Sequence, residues 1–280
     1  MTDNSKKKQH IKQKQKNSIN YSPLVLLVLL AIAAYYFFEN SLSGWWFNYN
    51  RCSEPRERSW KNFDAKVPDG FTVHGIDVSH YSCEIDWADV KKMRDQNVGI
   101  DFAFIRATRG NDFVDYRFEQ NWAEMRDSGI IRGAYHFFTF GDDAQQQAQF
   151  FLDKVKIISG DLPPVLDIED DLTGNERRFT SEQIVQKISV WLKTVEKETG
   201  IIPIIYVNGS YYKKYIAGNF VGYPIWYASY SPDKAIKNYN DVHWLFWQYS
   251  NEGRCNGISE KIDLNVFASD AIGLKSILKK

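Results

Sequence analysis

Five times between residues 71 and 216 the chain passes from a short apolar run with period-two patterning to a longer segment with helical spacing. Residues 71–78, 102–107, 131–137, 163–169 and 202–207 read as strands, and residues 87–97, 117–128, 142–157, 181–199 and 210–216 as the helices that follow them. The clearest helix places Ile184, Ile188, Trp191, Leu192 and Val195 on one side, with Thr180 as N-cap and Gly200 as C-cap. Three more strands follow with little room for helices, at residues 224–228, 244–249 and 261–267. Alternating strands and helices imply a parallel sheet, and eight strands in one domain imply closure into a barrel. The expected fold is therefore α/β: a distorted TIM-like barrel of five β/α units followed by three strands. A doubly wound open sheet is the alternative, but no Gly-x-Gly-x-x-Gly or phosphate-cradling loop follows a strand.

Acidic residues gather where such a barrel does its chemistry. The fourth strand reads Pro163-Pro164-Val165-Leu166-Asp167-Ile168-Glu169. Its alternation turns Asp167 and Glu169 to one face, roughly 6–7 Å apart along the backbone. Two carboxylates that close tend to separate into one neutral acid and one anion, which is the equipment for cleaving a glycosidic bond. Taken alone, Asp-x-Glu also fits a solvated strand end. Barrel active sites, however, lie at the C-terminal ends of strands. Asp77 ends the first strand. In the eighth, Ile262 and Leu264 face outward, so Asp263 and Asn265 face in. Four carboxylates from three strands are thus expected at one mouth. Tyr135, Tyr206, Trp226, Tyr227, Gln248 and Arg106 sit on or near strand ends and are candidates to line a saccharide groove, although barrel packing accounts for aromatics equally well. Gln248 is polar on an apolar strand and needs a partner, for which a sugar hydroxyl is a candidate. His136 reads as a satisfied core histidine.

Seven motifs in order carry a family resemblance. They are Gly75-Ile76-Asp77-Val78-Ser79, Phe104-Ile105-Arg106-Ala107-Thr108, Gly133-Ala134-Tyr135-His136-Phe137, Leu166-Asp167-Ile168-Glu169, Trp226-Tyr227-Ala228, Trp247-Gln248-Tyr249 and Asp263-Leu264-Asn265-Val266-Phe267. Over residues 73–267 the chain resembles glycoside hydrolase family 25, the N-acetylmuramidase lysozymes. The resemblance implies hydrolysis of the β-1,4 bond between N-acetylmuramic acid and N-acetylglucosamine in peptidoglycan. It implies Glu169 as general acid, with Asp167, Asp77 and Asp263 as active-site partners. A catalytically inactive peptidoglycan-binding module, or a glycosidase of another N-acetylated glycan such as chitin, is the alternative. The chain departs from the family's usual Lys-Ala-Thr-Glu-Gly at Arg106-Ala107-Thr108-Arg109-Gly110, where Arg109 reverses a charge. The chemistry calls for no cofactor. Because Asp167 and Glu169 share one strand, the substrate's own 2-acetamido group is expected to act as nucleophile, with net retention.

The formal net charge of zero hides a split, +5 over residues 1–22 and −5 over the remainder. Residues 1–22 read as a basic cytoplasmic tail, residues 23–42 as a transmembrane signal anchor, residues 43–70 as a juxtamembrane linker and residues 71–280 as the catalytic barrel. No charge falls between Asn17 and Glu39, and lysines precede the apolar run, so the tail stays inside and the barrel lies outside the cytoplasm. A cleaved signal peptide with Ala31 and Ala33 at its cleavage site is the competing reading. The expected partners are peptidoglycan glycan strands and, through the N-terminal helix, the membrane. The mildly acidic remainder lacks the basic stripe of a nucleic-acid binder. The three cysteines, Cys52, Cys83 and Cys255, have no metal-ligand spacing. Cys83 follows the first strand and Cys255 precedes the eighth, and these strands are neighbours in a closed barrel. A Cys83–Cys255 disulfide at the rim is therefore expected, with Cys52 free or bridging to a second chain.

Overall fold

A computed structural model describes residues 61–171, 173–231 and 242–280. The expected tail and anchor at residues 1–42, and most of the expected linker, lie outside the described residues. No helix among the described residues is long and apolar enough to cross a membrane.

The strands are β1 (His74–Val78), β2 (Phe102–Arg109), β3 (Phe113–Val114), β4 (Ile131–Phe137), β5 (Val165–Ile168), β6 (Ile204–Asn208), β7 (Ile225–Ala228), β8 (Phe246–Gly253) and β9 (Ile262–Phe267). They form one sheet in the order β1-β9-β8-β7-β6-β5-β4-β2-β3, and β1 also pairs with β2, which closes eight of them into a barrel. Only the short β3 stands outside, antiparallel to the end of β2. Helices follow the strands as expected: α1 (Trp87–Lys92), α2 (Phe118–Asp127), α3 (Ala144–Lys154), α4 (Ser181–Thr199) and α5, a single turn at Gly209–Tyr211 that widens into a π-helical turn over Tyr212–Ile216.

Two expectations from the parallel pattern are corrected. β9 runs antiparallel to both β8 and β1, unlike the other barrel strands. Helix α1 stops at Lys92 because the chain reverses through Gln96 and Asn97, both in the left-handed region at φ 50° and 71°, to make an Asp95–Val98 bridge. The packed unit also reaches upstream of residue 71. Phe63, expected in the linker, is wholly buried, its N–H donating to Asp95 and its carbonyl accepting from Arg254.

Two apolar layers hold the barrel. The outer one lies between sheet and helices. On α4, Thr180 and Gln183 form a reciprocal capping box, Gly200 takes φ 68° at the C-terminus, and Ile184, Ile188, Trp191, Leu192 and Val195 are buried. The inner layer fills the barrel with rings: Phe102, Phe104, Trp226, Phe246 and Phe267 belong to one buried cluster. Phe104 stacks on Trp226 at 4.4 Å, and Phe246 meets Phe102 edge-on at 5.1 Å. Such ring pairs contribute about 0.5–1.5 kcal/mol each beyond their buried area. Phe102 and Phe104 fit because glycines stand beside them in register, Gly75 on β1 and Gly133 on β4. A methyl group on either glycine would lie 2.4 Å from the neighbouring ring. This aromatic plug is the floor of the site.

Candidate active site

Above the plug lies a cavity of about 550 Å³, lined among others by Asp77, Asp167, Glu169, Asp263, Arg106, Tyr135, Tyr206, Trp226 and Gln248. All four expected carboxylates therefore reach one mouth. Asp77 sits next to last on β1, and Asp167 and Glu169 flank the last residue of β5. Asp263 arrives differently. It is the second residue of β9, and only the antiparallel run of that strand brings its start to the mouth, in register with Asp77.

A hydrogen-bonded network fixes Asp77. Its Oδ2 accepts from Gln248 Nε2 at 2.8 Å and from Asn265 Nδ2 at 2.7 Å. Each amide is itself held. Gln248 Oε1 accepts from Tyr206 at 2.9 Å and Tyr230 at 3.0 Å, and Asn265 Oδ1 accepts from Trp226 Nε1 at 2.8 Å. Gln248 thus finds its partners inside the protein. Asn265 and Tyr230 join the site beyond the residues singled out from the sequence. The alternation along β9 already turned Asn265 inward, whereas Tyr230 lies in the loop after β7, where no periodicity marks it.

Burial sets the proton affinities. It raises Asp263 to about 9, reinforced by the charge of Asp77 and by a hydrogen bond between the two carboxyls. Burial raises Asp77 to about 6, opposed by Asn265, Gln248 and Asp263. Asp263 therefore keeps its proton and donates it to Asp77, which carries the charge. Burial, with the charges of Glu169 and Asp77, holds Asp167 well above the usual carboxylate range. Burial, then Asp77, pushes Glu169 up to about 7, although the Arg106 guanidinium works the other way. Asp167 Oδ1 is buried with no hydrogen-bond partner, an acceptor awaiting a donor.

The β2 edge carries two cations to the site. Arg106 is buried, and its Nε donates to Asp115 Oδ2 at 3.1 Å. One extra residue, Ala107, breaks the register between β2 and β4, with Arg106 opposite Tyr135 but Thr108 opposite His136. This bulge sends Thr108 behind the sheet and Arg109 to the cavity. There Thr108 lies 2.7 Å from His136 Nδ1, while His136 Nε2 lies 3.1 Å from Gln147 and the ring stacks on Trp191. His136 is a core histidine, lowered to about 4 by burial.

Two expectations fail. Tyr227 does not line the cavity. It follows Trp226 on β7, so it faces the opposite, helical side, where its ring meets Tyr212 edge-on at 6.2 Å and its hydroxyl lies against Gly209. The Cys83–Cys255 disulfide does not form. Cys83 is disulfide-bonded, but Cys255 is a free thiol. The rim loops do meet, through an Ile85–Ile258 bridge, yet Cys255 is wholly buried in the outer core, which pushes its thiol up to about 12.

The arrangement matches known proteins. The sequence pattern of the family described as "Glycosyl hydrolases family 25" covers residues 76–258. The chain is 41% identical over 213 residues to an uncharacterized protein, YegX, of Escherichia coli, spanning 75% of each. It is 33% identical over 214 residues to Lysozyme M1 of Streptomyces globisporus, spanning 73% of this chain and 71% of that one. Its fold superposes with TM-score 0.67 on a family 25 glycosyl hydrolase from Bacillus anthracis, with 31% identity, 79% of this chain and 100% of the other covered. With the profile matched across most of the barrel and the acids gathered at its mouth, the chain belongs to the family 25 glycosyl hydrolases.

Proposed function

We propose that the chain is an N-acetylmuramidase, a lysozyme that hydrolyses the β-1,4 bond between N-acetylmuramic acid and N-acetylglucosamine in peptidoglycan, with Glu169 as general acid. The observation that carries the assignment is the state of Glu169. It is partly exposed to a polar cleft, yet burial and Asp77 lift it to about 7, so near neutral pH it has a proton to give.

Asp167 supports the substrate's own nucleophile. Its unpartnered Oδ1 accepts from the N–H of the 2-acetamido group, which turns the acetamido oxygen toward the anomeric carbon. That oxygen attacks C1 as Glu169 protonates the departing glycosidic oxygen. As positive charge develops on the acetamido group, the Asp167 oxygen that accepts from its N–H stabilises that charge, and Asp167 transfers no proton. Glu169, now a carboxylate, takes a proton from the water that opens the cyclic intermediate, and the configuration is retained. Asp77, held by Gln248, Asn265 and Asp263, supplies fixed negative charge beside the oxocarbenium-like centre. Tyr135, Tyr206 and Trp226 line the groove that takes the sugars, and Arg106 moderates the clustered acids.

The substrate is extracytoplasmic, and the charge-free run at residues 24–38, preceded by lysines, supports a membrane anchor that leaves the barrel outside. Digestion of defined glycan strands by the full-length protein tests the reading. Mass spectrometry should find reducing ends at N-acetylmuramic acid, and proton NMR should find the β anomer first. Reducing N-acetylglucosamine ends would overturn the substrate assignment, and a first-formed α anomer would overturn substrate assistance.

A further inference from the structure

The cleft is strongly acidic. Asp77, Asp167, Glu169, Asp170, Asp171 and Asp263 line it, and among its described residues only Arg106 and Arg109 are basic. The two arginines are differently placed. Arg106 is buried and ion-paired with Asp115. Arg109 is exposed and pairs with no carboxylate among the described residues.

Local structure holds Arg109 ready. The bulge at Ala107 turns it to the cavity side. Gly110, at φ +57°, then reverses the chain, and β3 returns with Phe113 directly opposite Arg109. The Phe113 ring lies 4.9 Å from the guanidinium. A guanidinium leaning on a ring loses less freedom when it binds, and its fork matches a carboxylate. A cation without a carboxylate partner in a cleft of acids also offsets their repulsion of an anionic ligand.

We propose that Arg109 is a specificity-determining residue that binds a carboxylate carried on the 3-O side chain of N-acetylmuramic acid. The proposal rests on the muramidase reading. The 3-O-lactyl group is what distinguishes N-acetylmuramic acid from N-acetylglucosamine. It ends in a free carboxylate on stem-free strands, and on substituted strands it leads to a peptide stem with carboxylates of its own. The family pattern that the sequence resembles has Glu at this position, which would repel the same group. Arg109 thus gives this chain a preference for the anionic form of the strand.

Full-length wild type, Arg109→Gln, Arg109→Lys and Arg109→Glu proteins are compared on four substrates: stem-free strands, stem-free strands with methyl-esterified lactyl groups, stem-bearing strands, and stem-bearing strands with esterified stems. Wild type should show a KM about fivefold lower on one carboxylate form than on its ester, as expected for a partly exposed pair. Gln should bring that ratio to near one, Lys should keep part of it, and Glu should invert it. A preference within the stem-free pair identifies the lactyl carboxylate as the ligand, and one within the stem-bearing pair identifies the stem. Hydrolysis by wild type with ratios that Gln leaves unchanged overturns the proposal and spares the muramidase reading. Absence of hydrolysis on all four strands overturns both.

Discussion

Gln248 Nε2 donates to Asp77 Oδ2 over 2.8 Å, a contact between residues 171 positions apart in the chain. The same side chain accepts from Tyr206 and Tyr230 through Oε1, so one amide links β8 to β1, β6 and the loop after β7. Gln248→Leu would take the acceptor from two hydroxyls and leave Asp77 Oδ2 with Asn265 as its remaining amide donor. It should cost about 1–3 kcal/mol of stability, which at roughly 2–4 °C per kcal/mol is visible as a lower Tm by circular dichroism. An unchanged Tm would show that the network does not brace the site.

Activity should be bell-shaped in pH. Glu169 must keep its proton to act as acid, and it loses it as pH rises through about 7. Asp77 must carry charge, and it loses that charge as pH falls through about 6. Measured as kcat/KM, which reports the free enzyme, the optimum should lie between about 6 and 7. A profile still rising from pH 7 to 9 would contradict these roles.

Stability should fall between pH 7 and 9. In that window Asp263, raised to about 9, and Asp167, held well above the usual carboxylate range, bind protons in the folded state that the unfolded chain has already released, while Glu169, raised to about 7, gives up the last of its own. Raised groups stabilise fully below their unfolded values near 4, and the contribution is lost as pH rises through the folded ones. Below about 6.5 His136, lowered by burial, acts in the opposite sense, so the window above 7 isolates the carboxyls. Urea unfolding of wild type should give a declining ΔG there. Asp263→Asn keeps a donor but does not titrate, and should make the decline shallower, leaving the part that Asp167 contributes. A flat wild-type curve would contradict the protonated state assigned to Asp263.

Much of this architecture could be read from residue order. Period-two and helical patterning located the eight barrel strands and the helices after the first five, and Thr180 and Gly200 cap α4 as their types suggest. Inward alternation at Asp77, Asp167, Glu169 and Asp263 brought the acids together. What escaped was set by tertiary contacts. The direction of β9 depends on its partners, because an antiparallel strand alternates as a parallel one does. The bulge that turns Arg109 inward is visible only as a shift against β4. Tyr227 and Trp226 are adjacent aromatics on β7, and composition does not say which faces the cavity. Strand β3 is two residues long, too short for periodicity, and the C-terminal helix Ala271–Ser276, capped by Asp270, spans fewer than two turns. Proximity of rim loops suggested the Cys83–Cys255 bridge, but Cys83 is disulfide-bonded while Cys255 is a free, buried thiol, and loop proximity does not say which cysteines pair.

The central claim is that Glu169 gives its proton to the leaving sugar, and the turnover of Glu169→Gln on defined glycan strands tests it most directly. An amide fills the same space and cannot protonate the glycosidic oxygen. The account predicts a kcat/KM lowered by about 100- to 10,000-fold, the usual contribution of a positioned general acid, in a protein whose circular dichroism matches wild type and whose Tm is no lower. Turnover within about tenfold of wild type would contradict it.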